Sequence, residues 1–90
     1  MLVLIRIELS GADLTAFERY EAEVLPLLAD HGGALERRLK GEGFEAHLVR
    51  FPSTEAFHAY LRDPRREEAQ ALWVQSGAHA ERWEVTDLPV

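Results

Sequence analysis

The stretch ALERRLKGEGFEAHLVRF, residues 34–51, decides how the chain is read. Ala34 to Lys40 and Phe44 to Phe51 flank Gly41-Glu42-Gly43, a short glycine-containing connection of the kind that joins antiparallel strands. The stretch predicts a hairpin. Its first arm carries three basic residues in seven, while its second has five apolar residues in eight.

Upstream, Leu2 to Leu9 has six apolar residues in eight and stops at Ser10-Gly11, which predicts a strand. Leu14, Phe17, Glu21, Val24, Leu25 and Leu28 then recur at spacings near three and four, with Asp13 placed to cap the start and His31-Gly32-Gly33 ending the pattern. A helix over about 13–31 follows, bent near Ala22 to Leu25 because Pro26 removes a backbone donor, with a break there as the alternative. Downstream, Pro52-Ser53-Thr54-Glu55 opens a second helix, capped by Ser53 or Thr54, with Phe57, Tyr60 and Leu61 on one face. Asp63-Pro64 restarts it and turns Ala69, Leu72 and Trp73 inward. His79 to Thr86 alternates as a fourth strand, with Trp83 and Val85 on one side and Arg82, Glu84 and Thr86 on the other.

The order βαββαβ predicts an α+β, ferredoxin-like protomer: a four-stranded antiparallel sheet with both helices on one face. That arrangement makes strands one and three central and strands two and four edges. The composition agrees independently, since the charged segments are the predicted edges, where charge resists accidental pairing.

The chain has 90 residues, a length that fits one domain spanning 1–90. Met1 to Ile5 is too short an uncharged run to cross a membrane, and Arg6 and Glu8 break up any signal peptide, so no membrane partner is expected. The absence of cysteine excludes thiolate metal sites and disulfides and fits a reducing cytoplasm. A net charge of -6 argues against a phosphate backbone, hence no nucleic acid partner. RNA-recognition domains share this element order, but strand one offers no aromatic residue on which a base could stack.

A sheet with one wet face should alternate apolar and polar residues along its central strands. These do not. Strand one puts Val3, Ile5, Ile7 and Leu9 on one side but Leu2 and Leu4 on the other; strand three puts Val49 and Phe51 on one side but Phe44, Ala46 and Leu48 on the other. Two helices cover one face only, so an identical chain packed sheet against sheet is expected over the other, giving a homodimer. Leu2, Leu4, Arg6, Phe44 and Leu48 are the interface candidates, with Glu8, Arg50, Arg82 and Glu84 on or beside it. The competing reading makes Leu2 and Leu4 merely an apolar strand end.

The run Tyr20-Glu21 … Val24-Leu25-Pro26-Leu27-Leu28 … His31-Gly32-Gly33, then Arg50-Phe51-Pro52-Ser53 and Asp63-Pro64-Arg65-Arg66, resembles the small bacterial dimeric α/β-barrel proteins. Within that superfamily it is most similar to the domain-of-unknown-function 1330 group and more distantly to the antibiotic-biosynthesis monooxygenase type. The resemblance implies a ferredoxin-like protomer and a dimeric α/β barrel with two sheets face to face. It carries over no catalytic residue: the first group has no agreed chemistry, and the polar active-site set of the second does not map onto this sequence position by position.

Four residues are candidates for orienting a small organic or anionic ligand: Tyr20, His31, His47 and Arg50. Tyr20 lies beside the Phe17, Val24 stripe, where core packing competes with a cavity role for its hydroxyl. His31 lies at a helix C-terminus, where the dipole favours a positive imidazole and Gly32-Gly33 would let a ligand approach; simple capping competes. His47, mid-strand, lines either a pocket or the interface. His58 reads as exposed, and the four histidines lack ligand spacing, so no metal and no cofactor are expected. Trp73 and Trp83 fall near the predicted core, and Arg65-Arg66-Glu67-Glu68 reads as a solvated first turn. Three functions fit: a ligand-binding homodimer, a cofactor-independent oxygenase or isomerase with His31 or His47 as base and Arg50 stabilising negative charge, and an oligomerising accessory protein without ligand.

Overall fold

The computed structural model describes residues 1–90. Four strands, β1 (Leu2–Glu8), β2 (Ala34–Gly41), β3 (Phe44–Arg50) and β4 (His79–Val85), form one antiparallel sheet in the order β2-β3-β1-β4. The apolar strands β1 and β3 are central and the charged β2 and β4 are edges, as the sequence predicts. The fold is α+β and ferredoxin-like, and the sheet is open.

The helices are shorter pieces than expected. Helix α1 (Leu14–Val24) begins where the Asp13 side chain accepts the Ala16 N–H at 3.1 Å. It ends at Leu25, because Pro26 has no N–H to continue the ladder, and a one-turn α2 (Leu27–Asp30) follows. The proline therefore breaks the helix instead of bending it. Ser53 caps α3 (Thr54–Leu61) and Asp63 caps α4 (Pro64–Glu68); α5 (Gln70–Ser76) stops at Gly77, whose φ of 72° is left-handed. Asp63-Pro64 restarts the helix as predicted, but Ala69 interrupts it once more.

Register sorts the central strands into two faces. Val3, Ile5 and Ile7 of β1 and Glu45, His47 and Val49 of β3 point toward the helices; Leu2, Leu4 and Arg6, with Phe44, Ala46 and Leu48, point away. A register shift between Leu35 and Arg37 inserts Glu36 as an extra residue in β2. Beyond it, Arg38 pairs with His47 and lies on the helix side, while Leu39 pairs with Ala46 on the open side. On β4, Arg82 pairs with Ile5 and Glu84 with Val3, so both lie on the helix side of the sheet and not at the open face expected for them. Trp83 pairs with Leu4 on that open face and is 45% exposed, so it is no core residue.

The buried apolar residues fall into separate groups. Val3, Leu27, Leu28, Val49, Phe51 and Tyr60 pack at one end of the sheet. Ile7, Phe17 and Ala78 pack at the other, and Tyr20, Val24 and Ala69 join α1 to the second helical layer. The interior between them is not filled.

Candidate functional site

The gap between these groups is a cleft of about 450 Å³ between the helix side of the sheet and helices α1, α3 and α5, within the range of small-molecule sites. Its lining is mostly apolar, with Val24, Leu28, Val49, Phe57 and Trp73 among the contributors. The polar groups on it are Glu21, His47, Arg66, Gln70, His79 and Arg82, together with the hydroxyls of Tyr20 and Tyr60.

His47 is 3% exposed, and its Nε2 lies 2.9 Å from Oε1 of Glu45, two residues back on the same face of β3. Arg38 grips the same carboxylate, Nε to Oε1 at 2.8 Å and Nη2 to Oε2 at 3.3 Å, and extends to Glu18 at 3.5 Å. Burial pushes the Glu45 carboxyl up, but the hydrogen bonds from Arg38 and then His47 outweigh it and hold the group below its usual value. Glu45 is thus an ionised acceptor. It follows that Nε2 of His47 is the donor and that Nδ1 carries the lone pair when the ring is neutral.

Glu21 occupies the buried stripe of α1 between Phe17 and Val24 and is 5% exposed. Burial pushes its carboxyl up to about 7; Arg38 opposes the shift, Glu45 and Glu18 add to it, and Arg66 opposes it. No hydrogen bond from the chain contributes to that shift. The sequence contained the signal for this residue, a carboxylate in an apolar helical stripe.

Tyr20 packs its ring against Trp73 at 5.2 Å and accepts a hydrogen bond from Nη2 of Arg66 at 3.3 Å. The Arg66 guanidinium lies 4.6 Å from the centre of the Tyr60 ring and donates to the Leu61 carbonyl at 3.5 Å, leaving its buried Nε without a partner. Burial raises the Tyr60 hydroxyl to about 12, so it is protonated, and it donates to the Val24 carbonyl at 3.4 Å. Arg66 is therefore not part of a solvated turn: α4 projects it inward across Tyr20 and Tyr60.

Of the four ligand candidates, the cleft brings together Tyr20 and His47. His31 lies outside its lining, with Nε2 2.8 Å from Oδ2 of Asp63. Arg65 binds Asp63 at 2.8 Å and Asp30 at 2.9 Å, so the end of α2 and the start of α4 are clasped there. The glycines after His31 leave no room for a ligand: a Cβ at Gly33 would lie 2.9 Å from the Phe51 ring, and Gly32, at φ +71°, faces Pro52. Arg50 lies on the open side of the sheet, paired with Glu36 and, at 3.2 Å, with Asp87. It cannot share a ligand with His47 through the sheet.

No protein-family model matches the sequence, and no curated protein matches it either. Solved structures do. The chain superposes on protein Atu4242 from Agrobacterium tumefaciens with a TM-score of 0.67, at 19% identity over 96% of this chain and 94% of the other. An uncharacterised NIPSNAP domain protein from Burkholderia xenovorans gives 0.65 at 13% identity, covering 100% and 99%. SnoaB from Streptomyces nogalater, described as a cofactor-independent oxygenase, gives 0.65 at 17% identity, covering 97% and 93%. At these identities the likeness is one of fold.

Proposed function

We propose that the chain binds a small, largely apolar organic molecule in the cleft between sheet and helices, and that it does so as a homodimer in a reducing cytoplasm. The observation that carries this reading is the cleft itself: about 450 Å³ of space with an apolar lining and a few convergent polar groups, Glu21, His47 and Arg66. The dimer reading rests on the open face, where Leu4, Ala46 and Leu48 lie half-buried beside the exposed Trp83 with no element of the chain above them. Leu2 is covered within its own chain, at 5% exposure, and Arg6 stacks over Phe44 at 4.9 Å on the same side. A sheet-to-sheet pair would close the dimeric α/β barrel, and the resemblance to the domain-of-unknown-function 1330 group belongs to this same reading.

Ligand binding is tested by thermal-shift screening of small aromatic and aliphatic compounds against the wild type and Ala80→Trp. Ala80 is exposed at the rim of the cleft, so the indole blocks entry without disturbing the core. Stabilisation of the wild type but not of the variant supports the reading; no stabilisation of the wild type by any compound removes it and favours the accessory-protein alternative.

One observation favours a second reading, proton-transfer chemistry of the cofactor-independent oxygenase or isomerase type. The Glu45 carboxylate fixes His47 with its basic Nδ1 available, and Arg66 offers a cation in the same cleft, the part Arg50 cannot play from the other side of the sheet. His47→Ala abolishing turnover of an enolisable substrate, with binding retained, is the result that reading requires.

A further inference from the structure

We propose that the Glu21 carboxyl is the polar anchor of the cleft and hydrogen-bonds the hydroxyl of an uncharged, otherwise apolar ligand, whose binding is coupled to protonation of that carboxyl. This inference rests on the ligand-binding reading. Glu21 is 5% exposed and lines the cavity, and its carboxyl receives no hydrogen bond from the chain. Neither cation near it makes an ion pair with it: Arg38 holds Glu45 and Glu18, and Arg66 lies over the Tyr60 ring and donates Nη2 to the Tyr20 hydroxyl, with its Nε unpartnered. The charged and titratable groups around Glu21 are Glu18 on its own helix, Arg38 on β2, Glu45 with His47 on β3, and Arg66 on α4.

The same surroundings select the ligand. A cationic head would share the cleft with Arg66 and Arg82, and an anionic head would meet Glu21 with Glu45 behind it. A neutral hydroxyl brings no charge of its own and accepts from the protonated carboxyl. An apolar body filling the cleft removes residual water and so favours the neutral acid. Burial already brings the carboxyl to about 7, so binding draws in a proton near neutral pH.

The test uses 2-naphthol and its near-isostere 2-methylnaphthalene, titrated calorimetrically into the wild type and into Glu21→Gln and Glu21→Leu between pH 6 and 8. The wild type is expected to prefer the naphthol by about tenfold, the worth of one good hydrogen bond, and to bind it about tenfold more tightly at pH 6 than at pH 8. Glu21→Gln, which mimics the neutral acid, keeps the preference and loses the pH dependence; Glu21→Leu loses both. Equal affinity for the two probes, or a pH dependence that survives in Glu21→Gln, overturns the proposal while leaving ligand binding intact. Absence of binding by either probe to the wild type removes the ligand-binding reading and the proposal with it. Carbon-13 titration of the Glu21 carboxyl in the free protein is a separate check, and an ordinary carboxylate midpoint there also overturns the proposal.

Discussion

His47 and Glu45 are joined side chain to side chain along one strand, Nε2 to Oε1 at 2.9 Å, and Arg38 from the neighbouring strand closes on the same carboxylate. The link exists because residues two apart in β3 share the helix-facing side of the sheet.

Glu45→Gln removes the charge from this junction and puts an amide NH2 where Oε2 accepted from Arg38, so the hydrogen bonds from Arg38 and His47 are no longer charge-assisted at the acceptor. Chemical denaturation should show a loss of about 1–3 kcal/mol. Because the Glu45 carboxyl is held below its usual value, its contribution is present above the unfolded pKa of about 4.5 and fades as pH falls below it. The difference between wild type and variant should therefore shrink on acidification.

Glu21 acts in the opposite direction. Its folded pKa, about 7, lies above the unfolded value of 4.5, so the native state holds the extra proton and stability falls as pH rises from about 4.5 to 7. Glu21→Gln removes that slope and should exceed the wild type in stability at pH 8 by roughly 3 kcal/mol, the equivalent of the shift. Urea midpoints of both proteins across this range check the sign.

Asp63 both caps α4 and binds His31 and Arg65. The Arg65 side chain, the His31 ring and the Arg65 backbone N–H hold its carboxyl well below the usual carboxylate range. Asp63→Ala should lower the melting temperature by about 4–8 °C, as the loss of a helix cap does in a domain of this size. Differential scanning calorimetry reads this directly, and the loss should be smaller at pH 3 than at pH 7.

Phe17 is fully buried between α1 and the sheet, beside Ile7 and Ala78. Phe17→Ala should cost about 3–5 kcal/mol, enough to populate the unfolded state at ordinary temperature. Circular dichroism melts measure it.

Leu48 lies half-buried on the open face between Leu4 and Arg37. Sedimentation velocity of the wild type should show a dimer, and Leu48→Glu should weaken it by about 30-fold or more, as losing a buried anchor does. A wild type that sediments as a monomer at high concentration removes the sheet-to-sheet interface.

The chain's local order was legible because its signals are short-range. The apolar runs of β1 and β3, caps at Asp13, Ser53 and Asp63, and glycine in the Gly41-Glu42-Gly43 turn each act within a few residues. The split of apolar residues between the two faces of β1 and β3 also follows from alternation alone. Glu21's place in an apolar stripe was readable too, although it is not among the four ligand candidates that the sequence offers.

The makeup of the cleft was a different matter. Pattern alone would keep Leu35, Arg37 and Leu39 on one face of β2, but the bulge at Glu36 reverses the alternation and sends Arg38 inward to Glu45. Arg66 reads as solvent-exposed in a run of charges, yet in the folded chain it lies across Tyr60. Arg50 and His47, three residues apart, fall on opposite sides of the sheet. Composition and periodicity therefore determined the elements, their order and which strands lie inside, since those depend on how each segment buries its own apolar side. Only the tertiary structure decided which polar groups face one another, because a cleft is built by distant segments whose long side chains turn toward whatever partner the packing supplies.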